Sequence, residues 1–296
     1  TILEVSKRLK SNIINYSSKY CPIYSEFSLD KIYTRSSFTN EKLWLSKFIS
    51  SENIIRQKTN GSSTGNSFKF FNNNRYFDKV QNIFEFDLIR SEYNLLNKKI
   101  KLLLLINWPF SPDGFDGFST CIDNHQPGNK FNSFNAKNYT THFVNFEGYE
   151  DYDVWYNKLL DLLSKHTFDI VLSSGPIINL LTKYIKKNSF QHKFAKLLSH
   201  TTEFPRQDDF NFLKKYGNID DFCDHMRCWD GGATFFTCKH GTHHLNDAAS
   251  WCEQGENKEL ISTDYFNTAT PFLNYFNGDL CEINNDYEKC ACGRYY

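Results

Sequence analysis

The sequence predicts an α/β fold: mostly parallel sheets flanked by helices, with a β-rich subdomain toward the C-terminus. Three observations carry this. Strand-length apolar runs such as Lys101 to Trp108 and Phe168 to Leu172 alternate with amphipathic segments of helical period. The strand–turn–helix order then repeats at Lys196 to Thr202 and Arg206 to Tyr216. After Gly231 the segments shorten and turn residues multiply, as in an antiparallel, turn-rich region.

In chain order, Leu3, Val5, Leu9, Ile13 and Ile14 make a helical stripe, and Phe38 to Ile49 carries a second one after Ser36-Ser37, so residues 1–58 read as helices in pieces. Thr59 to Ser67, T-N-G-S-S-T-G-N-S, is a polar loop that cannot pack as an element. Phe68 to Phe71 reads as a short strand, and Asn74 to Leu96 as an amphipathic helix with Phe77, Val80, Ile83, Phe84 and Leu88 on one side. Lys101 to Trp108 is a buried strand, and residues 109–135 form an irregular loop rich in Pro, Gly and Asn. Tyr152 to His166 is a helix, Ser173 to Pro176 a turn after the next strand, and Ile177 to Lys187 another helix. The expected division is 1–230 as an α/β core and 231–296 as the β-rich end of the same large domain.

Composition excludes several function classes. Lys+Arg and Asp+Glu are both 34, so no basic field draws nucleic acid. The best apolar run, Leu102 to Ile106, falls far short of the roughly 18 residues that span a bilayer. Nine Cys, with one tight pair, fit reduced thiols plus a metal site better than a secreted disulfide framework. The expected location is therefore cytoplasmic, with neither membrane nor nucleic acid as partner.

Three features carry chemistry. In the loop at Thr59 to Gly65, small residues let backbone N–H groups approach phosphate oxygens, and hydroxyls add donors; no Gly-Lys-Ser/Thr follows, so it is not a Walker loop. Tyr275-Phe276-Asn277-Gly278-Asp279 places an Asp on a Gly turn, where it can accept two hydrogen bonds from a ribose diol, although Gly-Asp alone is a common hairpin turn. Cys238, His243, Cys290 and Cys292 offer three thiolates and an imidazole, the composition of a closed structural zinc site. His240 and His244 are alternative donors, and Cys252 or Cys281 could replace a thiolate.

These features stand in an order that resembles the adenylate-forming superfamily of acyl-CoA synthetases and luciferase-type enzymes, and within it the phenylacetate–CoA ligase-like and capsule-biosynthesis branch. T-N-G-S-S-T-G-N-S-F-K resembles the family's T-S-G-S-T-G-x-P-x-K phosphate loop. Gly255 to Leu280 resembles its G-x-L-x-x-T-D-L-x-N-x-x-x-P-x-x-R-Y-x-T-G-D-L segment, with Thr263, Asp264, Asn267, Pro271, Tyr275, Gly278 and Asp279 in register. Cys290 to Arg294 resembles the C-x-C-G-R turn, and Asp224 to Gly231 sits where the family has D-x-Y-G-x-T-E-G. The sequence departs from the pattern at Ser67 for Pro, Met226 for the adenine-stacking Tyr, Asp230 for the Mg-binding Glu, and Asn274 for the Arg before Tyr.

The resemblance implies a ligase-like N-terminal domain that adenylates a carboxylic acid with ATP, optionally passing the acyl group to coenzyme A. Ser62, Ser63, Thr64 and Gly65 would cradle phosphates, with Thr64 and Asp230 acting in catalysis and Asp230 holding Mg²⁺. Thr202, Met226 and Trp229 would border adenine, and Asp279 with Arg294 would take the ribose. Trp108, Phe110 and Phe118 are candidate acyl-pocket residues. Cys238, His243, Cys290 and Cys292 would hold structural Zn²⁺. The family's small C-terminal lid, which supplies a catalytic Lys, is not expected within a chain ending at Tyr296. The alternative is a degenerate relative that keeps nucleotide and zinc binding without ligation.

Overall fold

A computed structural model describes residues 2–50, 54–58, 68–73, 89–95, 99–106, 131–135, 139–145, 152–201, 204–216, 219–228, 230–283 and 289–294. The chain opens with α1 (Ile2–Tyr20), a dipeptide strand β1 (Tyr33–Thr34) and the single turn α2 (Glu41–Trp44). A hairpin of β2 (Ile54–Lys58) and β3 (Lys69–Asn73) follows, and then β4 (Ile100–Ile106), β5 (Phe131–Asn135) and β6 (Tyr139–Asn145). Next come α3 (Tyr152–Lys165), β7 (Phe168–Ser174), α4 (Gly175–Lys187), β8 (Ala195–Thr201), α5 (Gln207–Tyr216) and β9 (Asp221–Arg227). The chain then runs through β10 (Thr234–Thr237), β11 (His243–Leu245), β12 (Ser250–Gln254), β13 (Glu259–Asp264) and β14 (Tyr275–Leu280).

Eight strands form the main sheet in the order β11-β10-β9-β8-β7-β4-β6-β5. Its centre, β6-β4-β7-β8-β9, is parallel, and antiparallel strands close both edges. Parallel strands are covered on both faces, so their sequences are apolar on both parities. In β4, Leu103 and Leu105 face the helical layer with Trp155, Leu159, Ile178, Leu181 and Leu213. Leu102 and Leu104 face the opposite core with Ile89, Tyr93, Leu197 and Phe236.

A second sheet, β1-β14-β13-β12, lies beside the first. Here β1 pairs in parallel with β14, so residues 231–296 contribute β10 and β11 to the main sheet and three strands to the second. The abundant aromatics have a structural use at this point. Tyr24, Tyr33, Phe38, Trp44, Phe70, Phe272 and Tyr275 bury together between the N-terminal segment and β14. Asn267 ties that core across the chain: its Nδ2 donates to the Phe71 carbonyl at 3.1 Å and to Asn72 Oδ1 at 2.6 Å. Its Oδ1 accepts from the Ala269 amide at 3.2 Å. Removing these bonds strands buried polar groups, so Asn267→Ala is expected to cost about 3 kcal/mol, read as a lower urea midpoint at unchanged slope.

Four local expectations need revision. The helical stripe at Phe38 to Ile49 condenses to α2 and a 3-10 turn at Arg35–Phe38. Residues 54–58 extend as a strand, because β3 offers them a hairpin partner. The end of the predicted loop, Phe131–Asn135, is an edge strand on β6; its Asn and Ser content has low strand propensity that pairing overrides. Finally, Ser173 to Pro176 is not a separate turn. The strand runs to Ser174 and α4 starts at Gly175, with Pro176 in the first turn where its missing N–H is harmless. Of the predicted Asn74 to Leu96 helix, residues 89–92 are helical and 74–88 lie outside the described residues.

Candidate functional site

The carboxyl edge of the parallel strands, where open α/β sheets bind ligands, brings two of the predicted carboxylates close. Leaving β9 at Arg227, the chain places Cys228 and then Asp230 on a turn into β10. Gly231 and Gly232 have φ +101° and +73°, which side chains rarely adopt. A Cβ on Gly231 would also meet Ser262 Oγ at 2.7 Å and the Tyr275 ring at 2.9 Å, so this close approach requires Gly.

Asp230 is buried, and its Oδ2 accepts two hydrogen bonds: from Arg35 Nε at 3.0 Å and from the Tyr275 hydroxyl at 2.8 Å. Burial, and next the Asp230 charge, push the Tyr275 phenol far above its usual range. Asp279, on β14, is half-buried; its Oδ2 accepts from Asn277 Nδ2 at 2.7 Å and from the Cys228 thiol at 3.4 Å. Asn277 Oδ1 in turn accepts from the Asp279 amide at 2.9 Å. Oδ1 of Asp279 takes part in none of these bonds and can accept from a ligand. Burial raises the Cys228 thiol well above its normal value, and the charges of Asp279 and Asp230 push it the same way. Cys228 is therefore a neutral donor set between two carboxylates.

Among the other predicted residues, Met226 packs on β9 with Phe235, Cys228 and Leu260. Arg294 lies over the Phe236 ring at 5.1 Å, with its Nε 3.6 Å from Glu92 Oε2. The partners the structure gives Arg294 are thus different from those of Asp279. Ser62, Ser63, Thr64, Gly65, Thr202 and Trp229 lie outside the described residues, as do Trp108, Phe110 and Phe118. Arg35 escaped sequence reading because its partner stands 195 positions away and no motif surrounds it.

The cysteine cluster is compact. One donor atom each from Cys238, His244, Cys290 and Cys292 lie within 4.8 Å of one another. Cys238 Sγ to Cys290 Sγ is 3.8 Å, and Cys292 Sγ to His244 Nε2 is 3.3 Å. A tetrahedral zinc with arms of about 2.3 Å to sulfur and about 2.0 Å to nitrogen has edges near 3.8 and 3.5 Å, which these two distances approach. Two tight turns present them: Gly241 (φ +80°) closes the first by donating to the Cys238 carbonyl, and Gly293 (φ +90°) closes the second by donating to the Cys290 carbonyl. The Cys292 amide N–H lowers the Cys290 thiol, while burial raises the Cys292 thiol beside it. The imidazole here belongs to His244, not to the predicted His243. Neighbouring residues of a strand face opposite ways, and His244 opposes Phe236 on the cluster side while His243 opposes Thr237.

His243 instead joins a row across the other face. Asp224 sits between His200, Nδ1 to Oδ1 at 3.4 Å, and His243, Nε2 to Oδ2 at 3.0 Å. Burial lowers His200, whereas the Asp224 bond raises His243 against an opposing burial effect. Burial works to raise Asp224, but the His243 bond and the neighbouring imidazoles outweigh it and hold the carboxyl low. A raised histidine stabilises fully below its unfolded value near 6.5 and ceases to as pH climbs through the folded value. His243→Asn is accordingly expected to lower the urea midpoint more at about pH 6 than at about pH 8.5. An equal loss at both would remove the charged pair from the account.

No helix among the described residues is long and apolar enough to cross a membrane. No protein-family profile and no curated protein sequence matches the chain. Solved structures do. The open conformation of 2-hydroxyisobutyryl-CoA ligase, in complex with 2-HIB-AMP and CoA, superposes at TM-score 0.70 and 11% identity over 98% of this chain and 71% of that one. The same ligase in its postadenylation state gives 0.69 at 11% identity, covering 98% and 65%. Its thioesterification state gives 0.64 at 10% identity, covering 99% and 66%. The chain therefore shares the fold of this acyl-CoA ligase over nearly its own whole length, and it spans about two thirds of the length of the ligase it matches.

Proposed function

We propose that this chain is the nucleotide-binding large domain of an enzyme that activates a carboxylic acid by adenylation. The observation that carries the reading is the half-buried Asp279, held by Asn277 and Cys228 at the ligand edge of a ligase-type sheet with Oδ1 left for a ribose diol. In the reaction, a carboxylate oxygen attacks the α-phosphorus of ATP and pyrophosphate leaves with the displaced bond pair, giving an acyl-adenylate. Such a step needs positioning and charge neutralisation rather than a covalent protein nucleophile. By the sequence resemblance, Ser62, Ser63, Thr64 and Gly65 would cradle the β- and γ-phosphates of ATP, and Thr202, Met226 and Trp229 would border adenine. The ligase that shares the fold was solved with an acyl-adenylate and coenzyme A, which makes a thioester the favoured product here, in the cytoplasm.

Two metals enter differently. Zn²⁺ on Cys238, His244, Cys290 and Cys292 would be structural, since four protein ligands leave no position for substrate. Mg²⁺ would arrive with ATP as substrate. Asp230 already neutralises a guanidinium and accepts from a phenol at Oδ2, a charge environment that opposes a second cation on the same carboxylate. That same ion pair favours the second reading, a nucleotide-binding relative without ligase activity. Calorimetric titration with AMP tests what both readings share: one saturable site per chain is expected, and no binding would refute both.

A further inference from the structure

By the sequence resemblance Asp230 stands where a metal-binding carboxylate is expected, yet its surroundings are those of a counter-ion. Its side chain is 6% exposed, and the Tyr275 hydroxyl and Arg35 Nε both donate to Oδ2. A divalent cation on this carboxylate would share it with the guanidinium, and two like charges held on one carboxylate repel. Arg35, in contrast, keeps 33% of its side chain exposed. The carboxylate takes the Nε–H and the Tyr275 hydroxyl also bears on the guanidinium, which leaves the rest of the fork's N–H groups for another partner. Arg35 is carried to this place by β1, whose pairing with β14 sets Thr34 opposite Phe276. Asp279 lies three residues further along β14.

We infer that Arg35 is the phosphate-binding cation of this site, anchored by Asp230 and Tyr275 and directed at the 5′-phosphate of a nucleotide whose ribose is held by Asp279. The inference rests on the nucleotide reading above. Two carboxylates lie at hand: Asp279 accepts from the Cys228 thiol at 3.4 Å, and Asp230 stands two residues after Cys228 in the chain. A phosphate next to such a pair needs a cation. Among the described residues, Arg35 is the one cation in ion-pair contact with either carboxylate. An arginine fork also suits phosphate geometry, and an anchoring carboxylate fixes it before the ligand arrives, so little ordering remains on binding. In a 5′-nucleotide the phosphate is bonded to the ribose, which matches a cation just past the end of β1 and a ribose acceptor on the neighbouring β14.

The test compares adenosine with AMP by calorimetry in buffer without added magnesium, so that no added divalent ion carries the phosphate. The wild-type protein is expected to bind AMP at least about tenfold tighter than adenosine. Arg35→Gln combined with Asp230→Asn removes both charges and leaves no unpaired buried carboxylate, which favours an intact fold as read by thermal melting. In this variant AMP and adenosine should bind equally, with adenosine affinity unchanged. Arg35→Lys, which keeps the charge and loses the fork, should reduce the AMP preference and also leave adenosine unchanged. An AMP preference that survives in the folded double variant would overturn the inference and leave Arg35 as a counter-ion only. If the wild type binds neither compound, the nucleotide reading itself fails.

Discussion

Stripping the cysteine cluster of zinc is expected to lower the melting temperature by about 10 °C. Zinc at about a thousandfold excess over its dissociation constant stabilises the folded state by about 4 kcal/mol, and a chain of this size moves by a few degrees per kcal/mol. The protein as purified should carry about one zinc per chain by elemental analysis. Cys292→Ser should lose most of it and melt near the chelated wild type. His244→Ala should behave similarly, whereas His243→Ala should keep its zinc, because the strand turns that imidazole toward Asp224. The loss would reach beyond the cluster. Cys290 and Cys292 anchor the chain end that sets Arg294 over Phe236, and Phe236 belongs to the core beneath β4 and β8. Full zinc content in Cys292→Ser, or no change in melting with a strong chelator, would remove the metal from the account.

Asp279→Ala should weaken AMP binding about a hundredfold. Two hydrogen bonds from a ribose diol to a carboxylate are charge-assisted and together contribute about 3 kcal/mol. The fold should survive, since Asp279 is half-buried, its partner Asn277 can turn to water, and the Cys228 thiol is only a weak donor. Adenosine should weaken by the same factor as AMP, which separates the ribose role of Asp279 from the phosphate role inferred for Arg35. Unchanged affinity in a folded Asp279→Ala protein would contradict the ribose assignment.

Much of this was readable in the residues, and what was not has identifiable causes. The buried strands at Leu102 to Leu105 and Phe168 to Leu172, and the helices that follow β7 and β8, were legible because apolar periodicity is strong where both faces of a sheet are covered. Asn267, Tyr275 and Asp279 sit in a segment whose order alone suggested chemistry; the structure adds that Asn267 is a core tie rather than a ligand group. The edge strand Phe131–Asn135 and the hairpin strand Ile54–Lys58 were not legible, because tertiary pairing makes them extend. Choosing between His243 and His244 requires the strand parity of β11, which a three-residue strand does not declare in its sequence. Arg35 was invisible for a different reason: an isolated Arg acquires meaning only when the fold sets it against Asp230.

ATP–pyrophosphate exchange with a panel of carboxylic acids tests adenylate formation most directly, using the protein with whatever further domain accompanies this chain. The account predicts label exchange that depends on one class of acid, disappears in Asp279→Ala and persists, at reduced zinc-dependent stability, in the presence of a chelator too weak to take magnesium. Saturable AMP binding with no exchange for any acid would contradict adenylation and leave the chain as a nucleotide-binding module.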